Sequence, residues 1–370
     1  MAIRKGLVLL AAVVSAQGAF ANNIHVCPTC AHRTIQSAVN DAAAGDLISI
    51  AAGRYEENIT IEGKGLTLQG STVPGRPTEV AAAGRGPVFT LGTGVAGATP
   101  ESIVINSLTI TGGNHTGGTG AGGGVQVRSG AYLTMDSSVI TQNVATKGGG
   151  VAIDAPGSPP STITRSQIIA NSAGLGNFGG PGGGVLVGRG STAFINSCII
   201  TGNTSTDGGG IFADVNTSLY VAESTISNNI SRAAVDPQGS TGGGGGLEVA
   251  GSFSVQNSNV SSNLALGPTG GGGMYISMNA GTVHQIGGSI IARNDLRTSP
   301  SEFGEGIGAG VVANNTDPVQ QILTLTSDYI VENQEFGGLW IQGVALSSGN
   351  TTVQDNIGGQ ICSSADGTCT

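Results

Sequence analysis

The sequence predicts an all-β solenoid, a parallel β-helix with three strands per coil, and three observations carry that reading. A glycine run followed by alternating apolar residues recurs eight times along the chain. Each copy is followed by a second motif that ends in asparagine. Glycine supplies 65 of 370 residues while charged residues make up only 10%, which suits many turns in a repetitive sheet and neither collagen nor an ordinary disordered segment.

The glycine run precedes Val125, Val151, Val185, Ile211, Leu247 and Met274, with looser copies before Val311 and Leu339. The residue two positions further on is again small or apolar: Val127, Ile153, Val187, Ala213, Val249, Ile276, Ala313 and Ile341. A period of two reads as a strand with one buried face. The second motif is a small or polar residue, any residue, Ile or Val, two residues, then Asn. It ends at Asn143, Asn171, Asn203, Asn229, Asn263, Asn294, Asn333 and Asn356. Ahead of it lie further alternating pairs, such as Leu133/Met135, Leu219/Val221, Phe253/Val255 and Leu323/Leu325. Such short strands bury a face only by stacking coil on coil, which also pairs their backbone groups. Ten coils at about 4.8 Å each make a rod on the order of 48 Å. The repeated asparagine fits a turn, with its amide bonding the next coil as a ladder. A β-propeller would need four strands and about 40–50 residues per blade, more than most units contain.

Register also assigns two residues that look reactive in isolation. Cys198 stands where five other coils have serine and reads as a small buried ladder residue. His284 falls in the inward column of Leu219 and Phe253, so it reads as an interior or edge histidine.

The ends and the charge set the compartment and the partners. Arg4 and Lys5, the apolar stretch from Gly6 to Val14 and the Ala19-Phe20-Ala21 site read as a signal peptide over residues 1–21. The remaining chain, 22–370, is expected to form one β-helix domain. Its N-terminal cap spans 24–61, its regular repeats 122–356 and its C-terminal cap 357–370. Such a protein is secreted, displayed on a bacterial cell surface or held in the periplasm, and it does not span the membrane. Removing the signal peptide takes the formal charge from −9 to −11 and leaves two lysines, Lys64 and Lys147. That surface argues against nucleic acid. It also argues against an acidic polysaccharide, unless an ion such as Ca2+ bridges the charges; no other cofactor is expected. Cys27/Cys30 and Cys362/Cys369 lie at opposite ends of the rod, so each pair closes locally as a disulfide if it closes at all. A four-cysteine zinc site is excluded by the same separation, and no metal site is expected.

Thr34-Ile35-Gln36-Ser37-Ala38-Val39, Gly45-Asp46-Leu47-Ile48-Ser49-Ile50 and Gly53-Arg54-Tyr55-Glu56-Glu57-Asn58-Ile59 resemble the N-terminal cap of the pectate-lyase-like β-helix superfamily. The resemblance implies a right-handed helix whose first coil is plugged by an amphipathic α-helix with Ile35, Ala38, Val39 and Ala42 on one face. The glycine-run and Ile-x-x-Asn motifs from 122 to 356 are also similar to the repeats of polymorphic outer-membrane proteins. Those carry a C-terminal membrane barrel, which is not expected here because only 14 residues follow Asn356. The superfamily's enzymatic signatures are mostly missing: no Gly-His-Gly or Asp-Asp of the polygalacturonases, no Arg-x-Pro-x-x-Arg of the pectate lyases, no Asp-Pro-His-Asp of the alginate epimerases and no Leu-Gly-Arg-Pro-Trp of the pectin methylesterases. Asn315-Thr316-Asp317 matches one polygalacturonase fragment alone.

Function therefore rests on what the coils display. The outward residues of the glycine-run strand are Gln126, Ala152, Leu186, Phe212, Glu248, Tyr275, Val312 and Trp340. Phe212, Tyr275 and Trp340 recur on every second coil, about 9.6 Å apart, near the length of a disaccharide. They form either a sugar-stacking surface or packing for the loops that vary in length beside them. Two residues further on lie Arg128, Asp154 and Asp214, with Glu248 diagonal to Asp214. Such diagonals of about 7–8 Å fall within the roughly 6.5–9.5 Å of inverting glycoside hydrolysis. Asp214, Glu248, Asp154 and Arg128 are thus the catalytic candidates, and solvated strand-end charges, with Arg128–Asp154 as a surface ion pair, are the alternative. The expected role is binding of a polysaccharide or cell-surface glycan, adhesin-like. The alternatives are a polysaccharide hydrolase or lyase, and a structural surface protein without a small ligand.

Overall fold

The computed structural model describes residues 21–174, 180–232, 243–267, 270–279, 282–297, 307–315, 321–334, 338–342, 344–357 and 361–363. Three long parallel sheets run the length of a rod. One eleven-stranded sheet collects the glycine-run strands in a single register, with Val125, Val151, Val185, Ile211, Leu247, Met274, Val311 and Leu339 side by side. The next element of each coil joins a twelve-stranded sheet, where Leu133/Met135, Leu219/Val221 and Phe253/Val255 face inward. The strand before each ladder asparagine, such as Val139–Thr141, joins the other eleven-stranded sheet.

Two features differ from the sequence expectation. Past the ladder asparagine the chain stays extended for two or three residues and pairs again, making a seven-stranded sheet from Asn114–His115 to Asp295–Arg297. Strands of two or three residues are too short to show a period, so three-strand counting missed them. The glycine-run sheet also extends beyond its motif. It starts at Ile59–Ile61 and Phe89–Leu91, which no glycine run precedes, and adds Ile361–Ser363 within the stretch expected to cap the C-terminus.

The interior is one apolar column from Val26 to Leu339, bounded by two ladders. Each ladder asparagine is fully buried or nearly so, and each one after Asn143, where the ladder starts with three, makes all four bonds of its amide. Asn203 Nδ2 donates to Ile168 O (2.9 Å) and Asn229 Oδ1 (3.0 Å). Its Oδ1 accepts from the backbone N–H and Nδ2 of Asn171 at 2.9 and 3.1 Å. Seven such links join the eight asparagines. The residue before each is left-handed, from φ 53° at Asn228 to 66° at Gly202. That turn costs a non-glycine residue about 1–2 kcal/mol, and the saturated amide offsets it. The glycine run has its reason here too. A Cβ on Gly210 would sit 3.0 Å from the Asn229 amide and 2.7 Å from Gly246 O.

A serine ladder runs parallel. Ser138 N–H donates to Ser166 Oγ, Ser224 N–H to Ser258 Oγ, and Ser258 N–H to Ser289 Oγ. Cys198 occupies one rung as a buried free thiol, its Sγ against Ile163 O and Asn196 O. Burial raises its pKa, which fits a structural residue and not a reactive one. Asp328 closes the ladder by accepting the Ser289 N–H at 2.8 Å.

At the N-terminal end the helix Ile35–Asp41 buries Ile35, Ala38 and Val39 in the common core. Thr34 caps it, both Glu57 oxygens accept its first amides, and Lys64 Nζ donates to Asn40 O and Ala42 O at its other end. Cys27 and Cys30 form a disulfide with Cα atoms 5.0 Å apart. Residues 1–20, the Cys362 side chain and Cys369 lie outside the described residues. No described helix is long and apolar enough to cross a membrane.

Candidate functional site

The outward column of the glycine-run sheet has the predicted order, Gln126, Ala152, Leu186, Phe212, Glu248, Tyr275, Val312, Trp340. It is not an open aromatic surface. Phe212, Tyr275 and Trp340 are each half-buried. Phe212 packs on Ala121, Ala152 and Leu186, and Trp340 Nε1 is buried without a hydrogen-bond partner. Phe212 thus sits against residues of the neighbouring coils.

The charged candidates do not assemble as their spacing suggested. Arg128 does not pair with Asp154. Its guanidinium reaches back two coils to Glu62 Oε1 at 2.7 Å, crossing Gly92, whose carbonyl it also binds. A Cβ on Gly92 would sit 2.6 Å from Arg128 O and 2.9 Å from Ser129 O, so glycine there lets the coils approach. Asp154 stands exposed at its strand end. Asp214 Oδ1 accepts the Val215 N–H at 2.6 Å, and its carbonyl accepts from Thr217. Both bonds keep Asp214 in its own turn.

Glu248 turns the other way, toward the glycine run. Its carboxylate lies over Gly243 and against Asp207, where a Cβ on Gly243 would collide with Oε2. Oε2 is buried and has no hydrogen-bond partner. Burial, and then the charge of Asp207, push the Glu248 carboxyl well above the usual range, although the Gly244 and Gly208 amides pull it back. Burial also raises Asp207, whose Oδ2 accepts from Thr206 Oγ1. The Tyr275 hydroxyl is raised by burial first, with Asn314 acting against this and Glu248 adding to it. The acid pair of this face is therefore Asp207–Glu248, not Asp214–Glu248. Sequence spacing missed Asp207 because it precedes the strand, in a glycine turn with no strand register.

The described aromatics that are both exposed and stacked lie on the twelve-stranded sheet. Phe194 (38% exposed) and Tyr220 (43%) are register neighbours on Thr192–Asn196 and Ser218–Ala222. Their ring centroids are 4.7 Å apart with planes 17° from parallel. That is one strand spacing, so the rings stand as an offset stack. Thr162 and Ser254 are the next residues of the column on either side. Both are small, so the outer face of each ring has no bulky neighbour in register. Thr134, Gln285 and Thr324 continue the column. The signal was present in the sequence, as the residues alternating with inward Ala193, Ile195, Leu219 and Val221.

Among the described residues, no three His, Cys, Asp or Glu side chains come together as a metal-ligand set. Asn315 opens the lone polygalacturonase-like tripeptide and is a buried strand residue, while Thr316 and Asp317 lie outside the described residues.

Comparison with known proteins agrees with this architecture. No curated protein sequence matches the chain. An alginate lyase from Paenibacillus sp. strain FPU-7 superposes with a TM-score of 0.52 at 16% identity, over 88% of this chain and 99% of that one. The pectate lyase Pel9A aligns over 91% of this chain and 80% of its own, with TM-score 0.43 and 16% identity. A pectin methylesterase from Aspergillus niger aligns over 92% and 87%, with TM-score 0.35 and 11% identity. The family model described as a right-handed β-helix region matches residues 92–296, more than half of the sequence. With its parallel sheets, ladders and single apolar column, the chain belongs to the right-handed β-helix family.

Proposed function

We propose that the protein binds a glycan outside the cytoplasm, along the outward face of its twelve-stranded sheet. The observation that carries this reading is the exposed Phe194–Tyr220 stack set in a column of Thr, Ser and Gln side chains. A pyranose presents an apolar C–H face edged by hydroxyls. An aromatic ring with neighbouring hydroxyl and amide groups complements both parts. The parallel sheet repeats those groups at about 4.8 Å, which suits an extended polymer. The Cys27–Cys30 disulfide accords with an oxidising compartment, as does the signal-like N-terminus. Affinity electrophoresis in polysaccharide-containing gels tests the reading. Retardation that is lost in Phe194→Ala and Tyr220→Ala supports it, and migration that no polysaccharide alters rejects it.

A second reading, a polysaccharide hydrolase or lyase, draws on one observation: the Asp207–Glu248 pair with its raised pKa values. A carboxyl pushed up by burial and a neighbouring acid has the direction of shift that a general acid requires. Reducing-sugar and unsaturated-product assays decide this, with turnover expected to vanish in Glu248→Gln and to survive Asp214→Asn. The buried Oε2 weighs on the side of binding, since a substrate must reach a general acid.

A further inference from the structure

The charge distribution around the Phe194–Tyr220 stack narrows the ligand class, and the argument rests on the glycan-binding reading above. The side chains next to the stack in register are Thr162, Ser254, Thr192, Ser218, Asn196 and Ala222. Five of the six offer neutral hydroxyl or amide groups, and none carries charge. The nearest charged groups on the flanking turns are accounted for. Arg165 is paired with Asp136 at 2.7 Å. Glu223 lies exposed in the turn after Ala222 and accepts from Ser197 Oγ at 3.2 Å. Arg189 lies exposed in the turn five residues before Phe194, off the strand. A polyuronate presents a carboxylate on every residue. On this face it would meet no cation within the strands, an exposed acid at one edge, and a chain of formal charge −9.

We infer that this face binds an uncharged polysaccharide whose pyranose rings carry equatorial hydroxyls. Such rings leave axial C–H bonds on both faces, so each can lie flat on an aromatic ring. Their hydroxyls then point outward to the flanking Thr, Ser and Asn groups. An axial hydroxyl places an oxygen over one face of the sugar and leaves only the opposite face to stack. Recognition by neutral hydrogen bonds also makes binding insensitive to salt, because no ion pair is screened.

The test is affinity electrophoresis with the full chain in gels containing hydroxyethylcellulose, a neutral β-glucan with equatorial hydroxyls, or polygalacturonate or alginate. The acidic gels are run with and without Ca2+. Wild type should be retarded by the β-glucan equally at 20 and 500 mM NaCl and not by either uronate. Phe194→Ala and Tyr220→Ala should each weaken retardation tenfold or more, with melting curves verifying that both variants fold. Arg189→Ala should leave retardation unchanged. Retardation by a uronate that Tyr220→Ala or Arg189→Ala abolishes would overturn the inference and keep the glycan reading. β-Glucan retardation that both aromatic variants retain would overturn the assignment to this face. No retardation in any gel would overturn both.

Discussion

The twelve-stranded sheet and the glycine-run sheet share coils, core and ladders, yet they place their polar chemistry on opposite sides. The glycine-run sheet holds ionisable groups on its outward side, where Asp207 and Glu248 are buried and raised in pKa. The twelve-stranded sheet is neutral and exposed on its outer face around Phe194 and Tyr220, and among the described residues it buries one titratable interior group, His284, between Phe253 and Leu323. His284 is 1% exposed, its Nε2 lies 2.6 Å from Thr282 Oγ1, and its Nδ1 has no partner. Burial lowers its pKa to about 4. The two sheets therefore respond to pH in opposite senses. The folded pKa of His284 lies below its unfolded value, so its contribution is intact above about pH 6.5 and is lost as pH falls toward 4. The folded pKa values of Asp207 and Glu248 lie above theirs. Their contribution is present below the unfolded carboxyl value and is lost as pH rises through the folded one. A β-helix has one core, but each sheet can carry its own pH limit.

The largest effect expected is the acid limb. Between pH 6.5 and 4, His284 should cost about 3 kcal/mol of stability. His284→Leu should flatten this limb, since leucine already fills the column at 323. Urea unfolding at pH 7, 5.5 and 4.5 measures it, and parallel acid limbs in the two proteins would contradict an interior neutral histidine.

Next is the ladder shared by both sheets. Asn203→Ala strands the Asn171 amide groups and Ile168 O and should cost about 1–3 kcal/mol. Glycan retardation of the folded fraction should stay constant. If melting is unaffected, the ladder is not what couples the two faces.

Glu248→Gln should stabilise the protein by about 1 kcal/mol at high pH, by removing one member of a buried like-charge pair. As pH falls and the two carboxyls take up protons, the effect should fade. A gain that is equal at pH 4.5 and 8.5 would mean that Glu248 does not titrate against Asp207.

The smallest expected change in stability is Tyr220→Ala, about 0.5–1.5 kcal/mol from the lost ring pair, alongside the loss of retardation described above. Trp340→Ala on the other sheet should do the reverse, costing more stability because its ring is half-buried while leaving retardation intact. Should Trp340→Ala abolish retardation instead, the binding face belongs to the glycine-run sheet.

The sequence by itself determined whatever is periodic. The apolar residues two apart, the glycine runs and Ile-x-x-Asn each recur in register, and a parallel stack has one way to align such copies. That placed Val125 beside Val151, Cys198 in the serine column and His284 inside, as the structure has them. Side chains that leave the register were decided only by tertiary structure. Spacing put Arg128 near Asp154 and Asp214 near Glu248, but the Cα grid does not fix where a long side chain ends. Arg128 runs past the Gly92 carbonyl, which it binds, to Glu62, and Glu248 folds over the bare Gly243 to Asp207. Glu248 fills the space that a Cβ on Gly243 would take, and Arg128 spans two coils to its partner; strand register shows neither path. Exposure followed the same logic, since the bulk around Phe212 and its absence beside Phe194 depend on how neighbouring coils are filled.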